Sequence, residues 1–255
     1  MTAILVSLAV ALAVNGGFFA VAAARKTDVV TDLSYSLTFA LLAIVLPFTG
    51  AGKPVQLVAS LLVVVWALRL GSYLFRRILR TKVDHRFDGI REDTLRFARF
   101  WLLQAITVAV VMLPVSYLLD QEHPPGFGAW NVAGAAVWLV GFLLEAVADA
   151  QKAAFKANDE NRGRFVSTGL WRYSRHPNYF GEMLVWWGIF VYAVPVLHGA
   201  AFAVVAGPLS ITLLLLFVTG IPPLERSADK QHGDRAAYRD YKRRTSILVP
   251  LPPRS

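Results

Sequence analysis

Long apolar stretches separated by polar connectors dominate this chain. Seven of them reach or approach the roughly 20 residues that an α-helix needs to cross a bilayer. The sequence lacks the sustained apolar/polar alternation of a membrane β-barrel. We therefore predict an all-α integral membrane protein with seven transmembrane helices in a single domain, residues 1–255. The stretches are Ala3–Ala24, Leu33–Phe48, Val55–Phe75, Phe97–Leu119, Trp130–Ala150, Phe180–Pro195 and Leu197–Thr219.

Composition supports this class and excludes some chemistry. Of 255 residues, 56% are hydrophobic, and the mean hydropathy of +0.49 is too high for a soluble domain. The first stretch lacks a basic n-region, so we interpret it as a helix and not as a signal peptide. There are no cysteines, which excludes thiolate metal sites, thiol catalysis and disulfides.

The net charge is +9, and the basic residues lie mainly in the connectors on one side of the predicted membrane. Of the Lys and Arg residues between the predicted helices, 24 fall in alternate connectors on one side and 1 on the other. This positive-inside pattern predicts an outward N-terminus and a cytoplasmic C-terminal tail. It assigns the basic surplus to anionic membrane lipids, so we expect no nucleic-acid partner. We expect a monomer.

The most polar stretch beside a predicted helix is Gly169–Glu182, which reads G-L-W-R-Y-S-R-H-P-N-Y-F-G-E. His176-Pro177 predicts a helix start, and Asn178 and Glu182 then share one helix face. A carboxylate inside the apolar layer needs a partner. One interpretation is a structural cap in which Arg172 or Arg175 pairs with Glu182. The aromatic neighbours favour a binding site instead; they are Trp171, Tyr173 and Tyr179.

A second polar face lies on the fifth predicted helix, where Glu145 and Asp149 are four residues apart. Acids near a helix C-terminus oppose the macrodipole and each other. Lys152 and Lys156 offer neutralisation as one explanation. Hydrogen bonding to a ribose or an amide of a ligand is the other.

The N-terminal helices carry weaker candidates for chemistry. Asp32 and Tyr35 lie one turn apart, as do Arg69 and Tyr73. A tyrosine that polarises a carbonyl is one interpretation, and anchoring at the membrane interface is the better one for any single tyrosine. We interpret Gln104 as a hydrogen-bonding contact between helices.

The sequence contains no metal-ligand spacing around His85, His123, His198 or His232, and no Gly-rich phosphate loop. Basic side chains must therefore hold the phosphates of any bound nucleotide. Those available are Lys156, Arg164, Arg172, Arg175, Arg243 and Arg244.

The run from Glu145 to Glu182 resembles the membrane steroid 5α-reductase-like family, and more closely its bacterial DUF1295 branch. The tail from Gly220-Ile221-Pro222-Pro223 through Tyr238 to Pro253 also resembles that branch. The steroid enzymes have Asn in place of Glu145 and Arg in place of Lys156, and their Gln-Glu pair in the second helix has no counterpart here.

The resemblance implies an NADPH-dependent oxidoreductase acting on CH-CH groups, in a bacterial inner membrane. Its substrate would be a steroid- or isoprenoid-like lipid, entering from the bilayer between the N-terminal helices of about residues 1–119. The cofactor would bind the part from about residue 130 to 255. Its expected contacts are Glu145, Asp149, Lys156, Arg164, Trp171, Arg172, Tyr173, Arg175, His176, Asn178, Tyr179, Glu182, Glu225, Tyr238 and Arg244. The catalytic group is expected among Tyr73, Tyr35 and Asp32.

Two alternatives remain open at this point. The R-H-P-x-Y-x-G core also resembles membrane methyltransferases of the isoprenylcysteine and phospholipid types, which use S-adenosylmethionine. Those enzymes have a Glu-Glu pair where this tail has Glu225-Arg226, which favours the reductase. The other alternative is a non-catalytic lipid-binding protein.

Overall fold

The computed structural model describes residues 1–81 and 87–254, except the side chains of Arg80 and Thr81. His85, which entered the sequence argument, lies outside the described residues. The α-helices are α1 (Thr2–Arg25), α2 (Thr31–Val45), α3 (Pro54–Thr81), α4 (Thr94–Val111), α5 (Leu113–Leu119), α6 (Ala129–Ala157), α7 (Pro177–Ala193), α8 (Ala206–Leu213), α9 (Ile221–His232) and α10 (Ala236–Arg244). Single turns of 3₁₀-helix include Leu46–Thr49, Gly169–Arg172 and Val194–Val196.

Seven helical segments among the described residues are long and apolar enough to cross a membrane. This confirms the predicted all-α, multi-pass architecture. The segments are Thr2–Arg25, Thr31–Thr49, Pro54–Leu79, Thr94–Val111, Ala129–Ala157, Pro177–Val196 and Gly199–His232. The outward N-terminus and the cytoplasmic tail stay predictions from the charge pattern.

Prolines set several helix boundaries. The fourth predicted stretch is interrupted at Met112, just before Pro114, where α4 ends and α5 begins. Pro114 has no N–H to donate and its ring clashes with the carbonyl four residues earlier, so the helix breaks there. The predicted helix start is confirmed, because α7 begins at Pro177.

The described chain divides into two compact units. The N-terminal unit comprises Met1–Ala135 with Ile189–Ser210, and the C-terminal unit comprises Ala136–Gly188 with Ile211–Ser255. All fifteen residues expected to contact a cofactor belong to the C-terminal unit, and the three catalytic candidates belong to the N-terminal unit.

Small residues and neutral hydrogen bonds join the helices of the N-terminal unit. A Cβ on Gly71 of α3 would lie 2.6 Å from Ser36 Oγ of α2, so these helices touch at that point. Gln104 Nε2 of α4 donates to Asn15 Oδ1 at 2.8 Å and to Ser34 Oγ at 2.9 Å. The prediction that Gln104 bridges helices is confirmed.

Close backbone contact joins α6 and α7 in the C-terminal unit. A Cβ on Gly141 would lie 2.6 Å from Gly181 O, and a Cβ on Gly181 would lie 2.6 Å from Glu145 N. Only glycine allows this approach. The contact brings the polar face of α6 against the start of α7, where the candidate site lies.

Candidate functional site

The segment before α7 is fastened to α6. Leu170 N donates to Gln151 Oε1 at 2.9 Å, and Trp171 Nε1 donates to Ala148 O at 2.9 Å. Gly169 turns the chain here with a φ of 61°, a conformation that glycine adopts without strain. These contacts fix the indole of Trp171, which is buried.

The C-terminal tail fastens the same segment from another direction. We call residues 245–254 the C-terminal strap. Arg175 N donates to Ser246 O at 2.8 Å, Ser174 Oγ donates to Leu248 O at 2.6 Å, and Leu251 N donates to Tyr173 O at 3.1 Å. Because these bonds hold the backbone of residues 173–175, the strap fixes the direction in which the side chains of Arg175 and His176 project.

Glu225 of α9 is the centre of an ionic network. Its carboxylate accepts hydrogen bonds from Arg175 Nη1 and lies 2.9 Å from His176 Nε2. Lys242 Nζ of α10 lies 3.2 Å from Glu225 Oε2 and 2.6 Å from Asp229 Oδ1. The sequence offered Glu182 as the partner of Arg175; the structure gives Glu225 instead. That pairing joins positions 50 residues apart, which local spacing cannot predict.

His176 is buried within this network and stacks on Tyr179, with ring centroids 5.7 Å apart. Burial lowers the pKa of His176 below its ordinary value near 6.5, and the neighbouring Glu225 opposes that shift only in part. At neutral pH the imidazole is therefore uncharged. Burial also raises the pKa of Tyr238 to about 12, so its hydroxyl remains a hydrogen-bond donor.

The two polar helix faces that the sequence predicts, one on α6 and one on α7, contact each other. Glu145 and Asp149 on α6 are both buried, and Asn178 Nδ2 of α7 donates to Asp149 Oδ1 at 3.2 Å. Glu182 lies one turn further along α7 and is half-buried. The contact at Gly181 explains the meeting, since it presses the first turns of α7 onto α6.

A cavity of about 230 Å³ lies beside the ionic network. Four cationic side chains line it, against one carboxylate, that of Glu225. The cations are Lys152, Lys156, Arg164 and Arg175. Lys152 Nζ also lies 4.8 Å from the centroid of the Trp171 ring, a cation–π contact. The cavity therefore favours an anionic ligand that has aromatic or apolar parts.

Comparison with known proteins identifies the family. A family model described as "Protein of unknown function (DUF1295)" matches residues 18–245. The chain belongs to the DUF1295 family. It is also 23% identical over 163 residues to an uncharacterized protein of Schizosaccharomyces pombe, covering 53% of this chain and 47% of that one. The chain thus spans about half the length of the curated relative it matches. No solved structure matches it.

The structure of this DUF1295 protein places six of the fifteen predicted binding residues in the lining of the cavity. Those that line it are Lys156, Arg164, Trp171, Arg175, His176 and Glu225. Tyr179 stacks on His176, and Tyr238 OH donates to Asp229 Oδ1 at 3.2 Å. Arg172 and Tyr173 are exposed, and Arg244 Nε donates to Arg254 O within the strap.

Sequence reasoning missed several residues of the DUF1295 cavity. From the sequence we considered Lys152 only as a counter-charge for the acids of α6. We did not propose Phe165, His232 or Tyr241 as ligand contacts. All four line the cavity. Lys152 lies one turn before Lys156, and this spacing was an available signal. The aromatic residues carry no such signal, because tertiary packing alone brings them together.

The catalytic candidates of the DUF1295 chain lie on α2 and α3. Asp32 forms an ion pair with Arg77. The ring of Tyr35 packs edge-on against Phe39 with centroids 5.0 Å apart, and Tyr73 is half-buried on α3. Which of these three side chains could polarise a carbonyl stays a prediction from the sequence.

Proposed function

We propose that this DUF1295 protein is a membrane reductase that uses NADPH. Its substrate is a steroid- or isoprenoid-like lipid in which the reduced C=C bond is conjugated to a carbonyl. The observation that carries the proposal is the lining of the cavity by four cations and one carboxylate. The resemblance of Glu145–Glu182 and of the tail to the steroid 5α-reductase-like family supports the same conclusion.

The residues present fit NADPH by their chemistry. Its phosphates require cationic side chains, and Lys152, Lys156 and Arg164 supply them at the cavity. Its rings require flat apolar surfaces, which Trp171 and its neighbours supply. The volume of about 230 Å³ is below the roughly 300–1,000 Å³ typical of ligand pockets. The cavity therefore accommodates one part of a dinucleotide, not the whole.

The acid–amide cluster is proposed to hold the nicotinamide end. Asp149 accepts a hydrogen bond from Asn178, and both are polar groups able to bind a carboxamide. Bound NADPH would supply the hydride for the alkene carbon β to the carbonyl and leave as NADP⁺, and water would supply the proton that is added at the α carbon. Tyr73 or Tyr35 is proposed to donate a hydrogen bond to the carbonyl oxygen while negative charge develops there.

Two other functions are less well supported. S-adenosylmethionine carries a sulfonium cation, which a lining of four cations and one carboxylate disfavours. A non-catalytic lipid-binding protein would not require buried ionisable groups such as Glu145 and Asp149.

The test is a set of thermal unfolding measurements on the detergent-purified protein with saturating NADPH, NADH or S-adenosylmethionine. A ligand stabilises only the fold that it binds, by about 2.7 kcal/mol at a hundred times its Kd. We expect stabilisation by NADPH, and its loss in Asn178→Ala and Glu182→Gln. Stabilisation by S-adenosylmethionine alone would favour the methyltransferase, and no shift with any nucleotide would favour the lipid-binding protein. NADPH affinity that survives in Glu182→Gln would contradict the proposed cofactor contacts.

A further inference from the structure

One wall of the cavity is made of three rings. Phe165 and Tyr241 have ring centroids 5.3 Å apart, and Phe165 and His232 have centroids 5.7 Å apart. All three line the cavity. We call them the aromatic wall.

The aromatic wall is held in place before any ligand arrives. Tyr241 OH donates to Trp171 O at 2.6 Å, which ties α10 to the segment before α7. His232 is the last residue of α9 and is buried. Fixed rings lose little conformational freedom when a flat group stacks on them, so they bind it with a smaller entropic cost.

His232 adds an unsatisfied polar atom to this wall. Its Nδ1 is buried and has no hydrogen-bond partner among the residues that the structure describes. Buried polar atoms are normally paired, and each exception calls for an explanation. When the imidazole proton is on Nε2, Nδ1 is an acceptor, and a ligand that supplies a donor beside the rings would provide the missing partner.

The cations near the wall indicate what such a ligand carries. Arg164 precedes Phe165 in the chain, and both Arg164 and Lys156 line the same cavity. A planar ring that is attached to phosphates matches this pairing of aromatic and cationic groups.

From this arrangement we infer that the aromatic wall is a base-binding subsite for the purine of the nucleotide. Phe165 and Tyr241 stack on the base, and His232 Nδ1 accepts a hydrogen bond from its exocyclic amino group. Lys156 and Arg164 hold the attached phosphates. This subsite rests on the proposed function, because it takes the adenine end of NADPH.

The first experiment needs no variant. Binding of NADPH is compared with binding of its hypoxanthine analogue, in which a carbonyl oxygen replaces the amino group. Since the analogue presents an acceptor to an acceptor, we expect the wild-type protein to bind it at least about fivefold more weakly. Equal affinity for the two ligands would overturn the role of His232. No binding of NADPH at all would instead be a failure of the proposed function.

The second experiment separates the hydrogen bond of His232 to the base from the stacking of Phe165 on the base. In His232→Phe the preference for NADPH over the analogue should disappear. Phe165→Leu should weaken binding of both ligands to the same extent, by at least about fivefold, because stacking on an aromatic ring is lost. Phe165→Tyr keeps the ring and is the control; it should bind NADPH as the wild type does. Unchanged NADPH affinity in a folded Phe165→Leu protein would overturn the subsite.

Discussion

The side-chain contacts within the N-terminal unit differ in kind from those within the C-terminal unit. Among the described residues of the N-terminal unit, neutral side chains make several of the long-range contacts: Ser7 Oγ lies 2.7 Å from Ser116 Oγ, and Gln56 Nε2 donates to Leu118 O at 2.9 Å. In the C-terminal unit an ionic network surrounds Glu225. Neutral hydrogen bonds are sufficient to join helices in a membrane. The C-terminal unit also buries Glu145 and Asp149 in the spanning helix α6. Ionisable groups buried in a membrane helix are costly and mark functional sites by default.

The N-terminal unit also has ion pairs, and their positions sharpen the contrast. Asp32 pairs with Arg77, and Arg91 Nη1 lies 3.0 Å from Asp28 Oδ1. Each joins a carboxylate near the start of α2 to a cation near or beyond the end of α3. The network around Glu225 differs because several of its members line a cavity. The difference indicates that charge placement, more than charge count, locates the site.

The largest effect is expected where the ionic network loses its centre. Glu225→Ala leaves Arg175, His176 and Lys242 without their shared carboxylate. Glu225, Arg175 and Lys242 are half-buried, so the cost should lie between the roughly 1 kcal/mol of an exposed pair and the roughly 3–5 kcal/mol of a fully buried one, and the unfolding temperature in detergent should fall. Asp240→Asn is the control: it removes an exposed pair with Arg243 and should cost less than about 1 kcal/mol. Similar losses in the two variants would show that the network adds no more than a surface pair.

Gly141→Ala tests the close contact between α6 and α7. The added Cβ would lie 2.6 Å from the backbone oxygen of Gly181, which cannot rotate away. Overpacking of this kind costs about 1–3 kcal/mol, which chemical denaturation would detect. Gly17→Ala in α1 is the matched control, since its Cβ meets nothing within 4 Å. That change should be neutral or stabilising. A neutral Gly141→Ala would mean that the two helices do not touch at this point.

Ser174→Ala tests the C-terminal strap. The hydroxyl donates to Leu248 O at 2.6 Å and accepts from His176 N at 3.1 Å. Leaving these buried groups unpaired should cost about 1–3 kcal/mol and speed the proteolytic removal of the tail. Ser210→Ala loses only a bond to Gly207 O within its own helix and should leave the tail as resistant as in the wild type. Unchanged resistance in Ser174→Ala would show that this hydroxyl does not secure the strap.

Gln104→Leu tests the neutral hydrogen bonds between helices of the N-terminal unit. The change removes the bonds to Asn15 and Ser34, and interhelical hydrogen bonds in membranes are worth about 0.6 kcal/mol on average. We expect a small loss of stability and no change in NADPH affinity. A large loss of NADPH affinity would contradict the structural role assigned to Gln104.

The smallest expected effect is the pH dependence of the unfolding free energy that arises from His176. Because the pKa of His176 is lowered by burial, the unfolded chain binds more protons than the folded chain below its ordinary pKa near 6.5. Stability from this residue is complete above about pH 6.5 and is lost as the pH falls toward the lower pKa of the folded state. Unfolding measured from pH 7.5 to 5.5 should show this slope in the wild type. The slope should be weaker in His176→Gln.

Part of the candidate site was predictable because its information is local. The spacing of Glu145 and Asp149, and of Asn178 and Glu182, places each pair on one helix face, and the structure joins Asp149 to Asn178. The start of α7 followed from Pro177. The partner of Arg175 was not predictable, because Glu225, Glu182 and other acids were equally possible from sequence. The strap was also missed, since its bonds to Ser174 and Arg175 run mainly through backbone atoms that leave no residue pattern.

Because the length and apolarity of each stretch are local properties, the sequence by itself determined that the chain forms helices able to cross a membrane, seven of them in the part that the structure describes. It also determined the family and the segment where polar groups concentrate. Only the tertiary structure decided which charges pair, that Phe165, His232 and Tyr241 form one wall, and that a cavity lies beside them. These features depend on contacts between residues far apart in the chain, and such contacts are fixed by how the helices pack, not by the spacing of residues within any one of them.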